Sequence, residues 1–439
     1  MRILKNLRPF TDGIGVFLIV WFGQLISLIG SGLTSFALGV WVYQRTGSVT
    51  QFSLILLLAL LPSILISPVA GALVDRWNRR KCMILSDFAA GMTTVAIALL
   101  LATGSLQIWH IYLAVSLSSI CKAFQLPAYT ASTSSLVPKE FLPRASGMVQ
   151  SAEACAQLIS PLLAGVLLGT IELQGIILID FATFLFAVTT LLLVRFPNVK
   201  TATVFQDEKP SLWREAIEGW TYIYTRPGLF ALLIVFAINN VALGMIEVLF
   251  TPLVLSFSSV TVLGTIQSLG GAGMLVGSVV MSVWGGPRPL IRGVFGFTFL
   301  SQLCILTLGL RTDTALFALA NFLFFLSLPF INGWCDAILL RKVAPDIQGR
   351  VFATINMICF SCIPLAYAMA GPLAERIFEP LMAADGLLAG SIGQIIGVGP
   401  GRGIGLLFIT MEILAILVTV AIYRYPRLRF VEDELPDVI

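Results

Sequence analysis

Ionisable side chains within long apolar stretches are the residues of this sequence best suited to chemistry. Lys122, Glu153, Glu247 and Asp336 each lie inside such a stretch. A charge at the centre of a bilayer costs about 2.5 to 3.5 kcal/mol on insertion scales, so it needs a counter-charge, a wet cavity or a proton. The chemistry open to these residues is therefore proton binding or the binding of a charged solute. The structural alternative is a static ion pair or a carboxyl group that stays neutral.

Apolar runs long enough to cross a membrane dominate the chain. Of its 439 residues, 57% are hydrophobic and 11% are charged, whereas soluble domains carry about 25% charged residues. Sheet edges are not tolerated in lipid, so we expect an all-α integral membrane protein with twelve transmembrane helices in two pseudo-symmetric six-helix bundles. The predicted spans are 16–41, 51–71, 82–103, 108–136, 146–169, 175–195, 228–254, 261–284, 291–310, 314–340, 351–377 and 403–423.

Basic residues indicate how these spans are oriented. They concentrate in alternate loops, at residues 2–8, 76–81, 139–144, 195–226, 288–292, 341–350 and 424–429. Basic residues near span ends stay in the cytoplasm, so both termini are expected there, in a plasma or inner membrane crossed many times. The net charge of +4 then reflects orientation, and no nucleic-acid partner is expected.

A long polar stretch divides the predicted spans into six and six. It predicts an N-terminal bundle over 1–195, a cytoplasmic linker over 196–227, a C-terminal bundle over 228–423 and a cytoplasmic tail over 424–439. Apolar residues from Leu212 to Tyr224 recur at helical spacing, which indicates an amphipathic helix at the membrane interface. Similar segments close the fourth and tenth spans, Leu136-Val137-Pro138 and Val343-Ala344-Pro345, as expected of a repeated half.

A charged turn follows the second predicted span. It contains a glycine, one acid and four bases: Gly71, Asp75, Arg76, Arg79, Arg80 and Lys81. Orientation alone explains the bases, but it explains neither the acid nor the glycine four residues before it. A glycine permits close approach of another helix, and an acid facing bases forms a charge-assisted latch. We interpret this turn as a functional latch, with an orientation signal between spans as the alternative.

The turn resembles the signature loop of the major facilitator superfamily, G-x-x-x-D-R-x-x-R-R/K. The resemblance implies a cytoplasmic gate in which Asp75 faces the start of the eleventh span, near Gly349 and Arg350. Further stretches, including Ser67-Pro68 and Gly349-Arg350-Val-Phe, are similar to the macrolide-efflux and siderophore-exporter branch. That likeness implies export of a hydrophobic or amphipathic small molecule by alternating access, as a proton antiporter. The alternatives are a siderophore or metabolite exporter or importer, a polytopic enzyme, or a channel.

The resemblance extends to the fourth and fifth spans. Lys122-Ala-Phe-Gln125 resembles the R-x-x-Q-G element that the family links to proton coupling. Glu153 lies deep enough in the fifth span to pair with Lys122, and protonation of Glu153 would release the pair. Ser160-Pro161-Leu-Leu-Ala164-Gly165 resembles the antiporter signature, and Pro161 and Gly165 are expected to permit a kinked, closely packed helix.

Other polar residues within spans complete the candidate site. Glu247 and Asp336 have no basic partner in their own spans, so each is expected to bind a proton or a cationic substrate, or to stay neutral against an amide. Asp180 and Glu412 are expected to be structural. The candidate cavity residues are Gln24, Gln125, Asn239, Asn240 and Asn332.

Several chemistries have no counterpart in the sequence. There is no G-x-x-x-x-G-K-[ST] motif, so an ion gradient is the expected energy source. Cys359 and Cys362 form a CxxC within a span, which we interpret as helix packing because no other ligand pair accompanies it. We therefore expect no metal, no cofactor and no enzymatic activity. The expected partners are a small-molecule substrate, a proton or other ion gradient and the bilayer, for a monomer.

Overall fold

Helices account for nearly all of the structure, which is a computed structural model. It describes residues 13–138, 141–194, 212–343 and 345–424, and no strand occurs among them. The polar part of the predicted linker before Leu212, the tail after Arg424 and the N-terminal residues lie outside the described residues. The helices follow the apolar runs of the sequence, because the helical conformation forms all backbone hydrogen bonds within the run itself.

The first six helices form one series. They are α1 (Gly13–Thr46), α2 (Val49–Arg76), α3 (Arg79–Ala102), α4 (Ile108–Leu136), α5 (Leu142–Leu167) and α6 (Glu172–Leu193). Helix α7 (Leu212–Tyr224) follows the polar stretch. The second series is α8 (Pro227–Leu255), α9 (Val260–Trp284), α10 (Leu290–Leu310), α11 (Thr314–Lys342), α12 (Pro345–Leu373), α13 (Glu379–Met382), α14 (Gly393–Ile396) and α15 (Arg402–Tyr423).

Eleven helices of the described part of the chain are long and apolar enough to cross a membrane. Helix α5 is not among them, although twelve spans are predicted. It has 26 residues, but Arg144, Glu153 and several serines and glutamines lower its hydropathy. An α5 span therefore stays a prediction, and its polar residues must face protein or water if it crosses the bilayer.

The described residues form two compact units. The N-terminal unit contains residues 13–47 and 54–194, and the C-terminal unit contains residues 48–53 and 212–424. In the N-terminal unit α1 packs against α5 and α6, and α3 packs against α4 and α6. In the C-terminal unit α11 packs against α9 and α10, α12 against α8, and α10 against α15. Each unit thus has its own buried apolar core.

The first turn of α2 is capped in two ways. Ser48 Oγ accepts a hydrogen bond from the backbone N–H of Gln51 at 3.1 Å, as an N-cap residue does. Glu375 accepts from the backbone N–H of Thr50 at 3.1 Å and from Thr50 Oγ1 at 2.5 Å. Glu375 belongs to a π-helical turn, Ala374–Phe378, that continues α12. The backbones approach closely here, because a Cβ on Gly371 would lie 2.5 Å from Thr50 Cα.

Helix α7 has one buried and one exposed apolar face. Ile223 is fully buried, whereas Ile217, Trp220 and Tyr224 are 61%, 41% and 63% exposed. The rings of Trp220, Tyr224 and Phe230 contact one another on the exposed side. An exposed aromatic face beside a packed face is typical of a helix that lies at a membrane interface.

Candidate functional site

A buried carboxyl group on α3 has two glutamine amides around it. Asp87 is 6% exposed and Gln24 on α1 is equally buried. Gln24 Nε2 donates to Asp87 Oδ2 at 3.3 Å, and Gln125 Nε2 on α4 donates to Asp87 Oδ1. Gln125 Nε2 also lies 3.1 Å from Gln24 Oε1. These three residues, which we call the Asp87 layer, join α1, α3 and α4.

A second buried carboxyl group lies on α6. Asp180 is 5% exposed; Ser31 Oγ donates to its Oδ1 at 3.3 Å, and Thr94 Oγ1 to its Oδ2 at 3.5 Å. Gly30 leaves room for it, since a Cβ there would lie 3.1 Å from Asp180 Oδ1. Lys122 of α4 interacts electrostatically with Asp180. We call Ser31, Thr94 and Asp180 the Asp180 layer.

The predicted pairing of Lys122 with Glu153 is wrong. Asp180 is the acid whose charge acts on Lys122, without an ion pair between them within 4 Å, and the Glu153 side chain is exposed and lies near Tyr129. Helix α4 packs extensively along α3 and barely touches α5, so an acid on α5 is poorly placed to meet Lys122. Because α3 also packs against α6, Asp180 is the better-placed acid. From the sequence, Asp180 is expected to be structural. Its position relative to Lys122 makes it a candidate coupling residue instead.

The two layers repeat along the same pair of helices. Gln24 and Ser31 are seven residues apart on α1, and Asp87 and Thr94 are seven residues apart on α3. Seven residues make about two turns, or about 10 Å along a helix axis, so both layers lie on the same faces of α1 and α3. Helix α4 reaches both, since Gln125 belongs to one layer and Lys122 interacts with the other.

A third carboxyl group is oriented by a tyrosine in the C-terminal unit. Glu247 on α8 is exposed, and its Oε2 accepts a hydrogen bond of 2.5 Å from the hydroxyl of Tyr367 on α12. Tyr367 itself is 5% exposed. The partner of Glu247 is thus a phenol and not the amide expected as the alternative. The contact leaves Glu247 accessible to a solute or a proton.

The predicted cavity amides of the C-terminal unit have separate surroundings. Asn239 and Asn240 donate to the carbonyls of Val235 and Phe236, four residues earlier on α8, at 2.8 and 2.9 Å. Asn239 Oδ1 also accepts from Gln302 Nε2 at 3.5 Å, and that nitrogen donates to Thr419 Oγ1 at 2.9 Å. Asn332 and Asp336 are exposed one turn apart on α11. Among the described residues, no hydrogen bond joins Asn239 or Asn240 to Asn332 or Asp336.

Two arginines of the charged turn bind helix ends of the N-terminal unit. Arg80 Nε and Nη2 donate to the carbonyls of Leu191 and Leu192, in the last turn of α6, at 3.0 and 2.8 Å. Arg79 Nη1 donates to the carbonyl of Ala131 near the end of α4 at 2.7 Å. The carbonyls of Leu191 and Leu192 are among the last four of α6, which lack intrahelical donors and attract cations. These two bases therefore hold the start of α3 to α4 and α6.

The remaining residues of the charged turn are Gly71, Asp75, Arg76 and Lys81. Gly71 makes no close approach to another described residue, because a Cβ there would meet nothing within 4 Å. The expected close approach of a helix at Gly71 therefore has no counterpart among the described residues and stays a prediction. The side chains of Asp75 and Arg76 lie outside the described residues, so the latch at Asp75 stays a prediction. Lys81 is exposed, and its N–H donates to Asn78 Oδ1 at 3.2 Å.

Arg350 has an acidic partner that the sequence did not indicate. Its Nη1 lies 2.6 Å from Glu218 Oε2 on α7, so the ion pair connects α7 with the start of α12. Close packing occurs beside Pro161 on α5, where Ser160 Oγ donates to the carbonyl of Ile29 at 3.0 Å. A Cβ on Gly32 would lie 2.8 Å from Ser160 Cβ. Gly165 is buried one turn further along.

Asp87 is the main site residue that sequence reasoning missed. It lies five residues inside the predicted span 82–103, close behind the basic turn, where an acid resembles an end-of-span residue. A signal was available, because Gln24 and Ser31 share the seven-residue spacing of Asp87 and Thr94. No comparable spacing in the sequence points to Tyr367 or Glu218, because each contacts a residue on a helix that is distant in sequence.

The comparison with known families decides what kind of protein this is. The sequence model of the Major Facilitator Superfamily matches residues 20–367. The chain belongs to the major facilitator superfamily. The first-half arginine contacts and the two polar layers are therefore features of a superfamily transporter, and its spans place it in a membrane.

Two curated relatives of this superfamily member are named as efflux proteins. Macrolide efflux protein A of Streptococcus pyogenes is 31% identical over 368 residues, which cover 82% of this chain and 90% of that protein. The multidrug efflux pump Tap of Mycolicibacterium fortuitum is 22% identical over 378 residues, covering 82% and 90% of the two chains. The resemblance to the macrolide-efflux branch is thus confirmed.

Solved structures of this superfamily share the fold. A mutant of the nucleoside transporter NupG superposes with a TM-score of 0.71 at 12% identity, covering 93% of this chain and all of the other. A bacterial homologue of the iron transporter ferroportin, in an inward-facing state, gives 0.69 at 13% identity and covers 94% and 99%. At such identities the likeness concerns the fold alone.

Proposed function

We propose that this protein exports hydrophobic or amphipathic small molecules, macrolide antibiotics among them, by proton-driven alternating access. The observation that carries the proposal is the 31% identity with macrolide efflux protein A across 82% of this chain. The likeness to a multidrug efflux pump over 82% of the chain supports a broad choice of amphipathic substrates. The proposed setting is the plasma membrane, with both termini in the cytoplasm and the monomer as the working unit.

The proposed coupling element is the interaction of Lys122 with Asp180. An acid and a base inside predicted spans stabilise each other while both are charged, and protonation of the acid ends that attraction. A proton on Asp180 would leave Lys122 without its counter-charge, and the conformation that hydrates Lys122 better would then be favoured. The Ser31 and Thr94 hydroxyls can donate to a charged Asp180 and accept from a protonated one.

The accessible carboxyl groups of the C-terminal unit are the proposed binding partners for a cationic group or a second proton. Glu247, oriented by Tyr367, and Asp336, with Asn332 one turn before it, are exposed within spans. Asp75 remains the proposed acid of the cytoplasmic gate, and Arg350 remains a proposed base of that gate. Each of these roles predicts loss of export when the carboxyl group becomes an amide.

The deciding experiment measures efflux of a radiolabelled macrolide from cells that express the chain, with and without an uncoupler. We expect uncoupler-sensitive efflux from the wild type, and loss of that efflux in Asp180→Asn and Asp75→Asn at normal membrane expression. Glu153→Gln is the matched control, because it neutralises an exposed acid of the same unit and should retain efflux. A well-folded wild type without macrolide efflux would reject this substrate class and direct the search to siderophores and other metabolites.

A further inference from the structure

The Asp87 layer contains a buried acid that has hydrogen-bond donors but no counter-charge. Both carboxylate oxygens of Asp87 face neutral amide groups, from Gln24 and Gln125. Of the neighbouring helices, α1 presents no titratable group along this stretch, and α4 presents the Cys121 thiol. Lys122 of α4 and Asp180 of α6 interact with each other. A carboxylate buried in this way is costly unless a cation joins it.

The bases nearest to Asp87 along the chain are used elsewhere. Arg80, seven residues before Asp87 on α3, donates to the carbonyls at the end of α6. Arg79 donates to the carbonyl of Ala131, and Lys81 is exposed at the start of the helix. Among the described residues, none of these bases is placed to neutralise Asp87. Within the described part of the chain, a proton or another cation from solution is thus the remaining source of a counter-charge for Asp87.

The oxygen atoms around Asp87 suit a proton better than a metal ion. A divalent cation takes six or more oxygen ligands, usually from several carboxylates, and the described residues hold no group of three potential metal ligands. Sodium would require both glutamine amides to turn, because the atoms that now face the carboxylate are the Nε2 donors. A proton requires one carboxyl oxygen and one acceptor, which Gln24 Oε1 or Gln125 Oε1 provides.

We propose that Asp87 binds a coupling proton in the N-terminal unit, in addition to the proton proposed for Asp180, and that Gln24 and Gln125 are its positioning residues. This inference rests on the proposed function and extends it to a residue outside the signature motifs. The proton is taken from water on one side of the membrane and released to water on the other, so no co-reactant is consumed.

Helix α4 provides the connection between Asp87 and the rest of the coupling element. A protonated Asp87 must donate a hydrogen bond where it formerly accepted one, so at least one glutamine amide has to rotate. Gln125 is three residues from Lys122, which places the two side chains on neighbouring turns of α4. A change at Gln125 thus reaches the helix that carries Lys122, whose charge interacts with that of Asp180 about two turns away along α1 and α3.

The first experiment separates proton coupling from substrate exchange in proteoliposomes, with radiolabelled erythromycin as the probe. We expect Asp87→Asn to lose accumulation driven by an imposed pH gradient at least tenfold, while equilibrium counterflow stays within twofold of wild type. Asparagine keeps the shape and can still bond both glutamines, but it binds no proton. Glu412→Gln is the matched control, since it removes another fully buried acid and should keep accumulation.

Three results of this experiment would overturn the assignment. Asp87→Asn could still accumulate erythromycin under a pH gradient, which would place the proton elsewhere. It could lose counterflow as well while remaining folded, which would make Asp87 a substrate-binding or structural residue. Wild-type accumulation that follows a sodium gradient and not a pH gradient would make the ion sodium. If the wild type does not transport erythromycin at all, the proposed function fails, and the second experiment still tests Asp87.

The second experiment detects the proton without any substrate. The infrared absorption of protonated carboxyl groups is followed in purified protein while pH is varied. We expect a pH-dependent band in wild type and in Glu412→Gln that is missing in Asp87→Asn, and we expect Gln125→Leu to shift its midpoint. A purely structural Asp87 would leave the band unchanged in all variants, and that result would refute the proposal.

Discussion

Arg350 of α12 and Glu218 of α7 form an ion pair with 2.6 Å between Nη1 and Oε2. Next to it, Gly219 lies against the α12 backbone, where a Cβ would be 2.7 Å from the carbonyl oxygen of Arg350. Tyr222 completes the attachment, since its hydroxyl lies 3.4 Å from the carbonyl oxygen of Lys342. Charge and close packing thus act on the same short helix, and substitutions can separate their contributions.

The ion pair is expected to contribute little to stability. The side chains of Arg350 and Glu218 are 36% and 39% exposed, so water screens them, and such pairs contribute about 0 to 1 kcal/mol. Glu218→Gln should lower the free energy of unfolding by no more than that, measured as the shift of thermal unfolding in detergent. A larger loss would mean that this contact is desolvated by the membrane surface.

Packing at Gly219 is expected to matter more than the ion pair. Gly219→Leu would force a side chain into the α12 backbone, and overpacking of this kind costs about 1 to 3 kcal/mol. The measurement is again thermal unfolding in detergent. Gly296→Leu is the control, because a Cβ on that helical glycine of α10 would meet nothing within 4 Å. Equal losses at both positions would contradict the assignment of close packing to Gly219.

The hydrogen bonds of Arg80 should stabilise the end of α6. Arg80→Met removes the donors to the carbonyls of Leu191 and Leu192, and we expect a loss of about 1 kcal/mol, because the site is only half-buried. Hydrogen exchange of the last α6 amides should become faster. Lys81→Met, which removes the neighbouring exposed base, should change neither quantity. Unchanged exchange in Arg80→Met would show that α6 ends without help from Arg80.

The architecture could be predicted from the sequence because long apolar runs permit few structures in lipid. Eleven of the twelve predicted spans appear as helices of sufficient length and hydropathy, and α7 begins at the predicted Leu212. Helix α5 escapes this criterion because Arg144 and Glu153 lower its hydropathy, although its length is sufficient.

The site was harder to predict because partners across helices depend on rotation about each helix axis. Depth alone made Glu153 a possible partner of Lys122, but helix neighbours decide the pairing, and α4 lies along α3. Asp87 is not among the residues predicted from the sequence, since an acid close behind a basic loop resembles an end-of-span residue. Gln24 and Gln125 were recognised as polar residues of interest, while the acid that brings them together was not.

Exchanging the charges of Lys122 and Asp180 tests whether their interaction supports transport. Asp180→Lys places two bases together, and we expect macrolide efflux to be lost. Combining it with Lys122→Asp restores an attractive pair, so efflux should return in part. Lys122→Asp combined with Glu153→Lys is the control and should stay inactive. Recovery in the control and not in the Asp180 combination would reinstate Glu153 as the partner.

The contact between Thr50 and Glu375 should contribute to the stability of α2. Thr50→Val keeps the backbone N–H but removes the hydroxyl that donates to Glu375 Oε2, and loss of a hydrogen bond to a charged group costs about 1.5 to 3 kcal/mol when it is buried, less at this half-buried position. Thermal unfolding measures the loss. Thr170→Val, which removes an exposed hydroxyl bonded only to its own segment, should have little effect. Additive losses of Thr50→Val and Glu375→Gln would contradict a direct interaction.

The two arginine contacts at the start of α3 also bear on how force passes through the N-terminal unit. Arg79 and Arg80 connect one turn to the ends of two other helices, α4 and α6. A displacement of that turn therefore acts on three helices, α3, α4 and α6, at the same time. Bending α3 alone would first have to break charge-assisted hydrogen bonds, so the unit resists deformation at this end and passes displacement along its length.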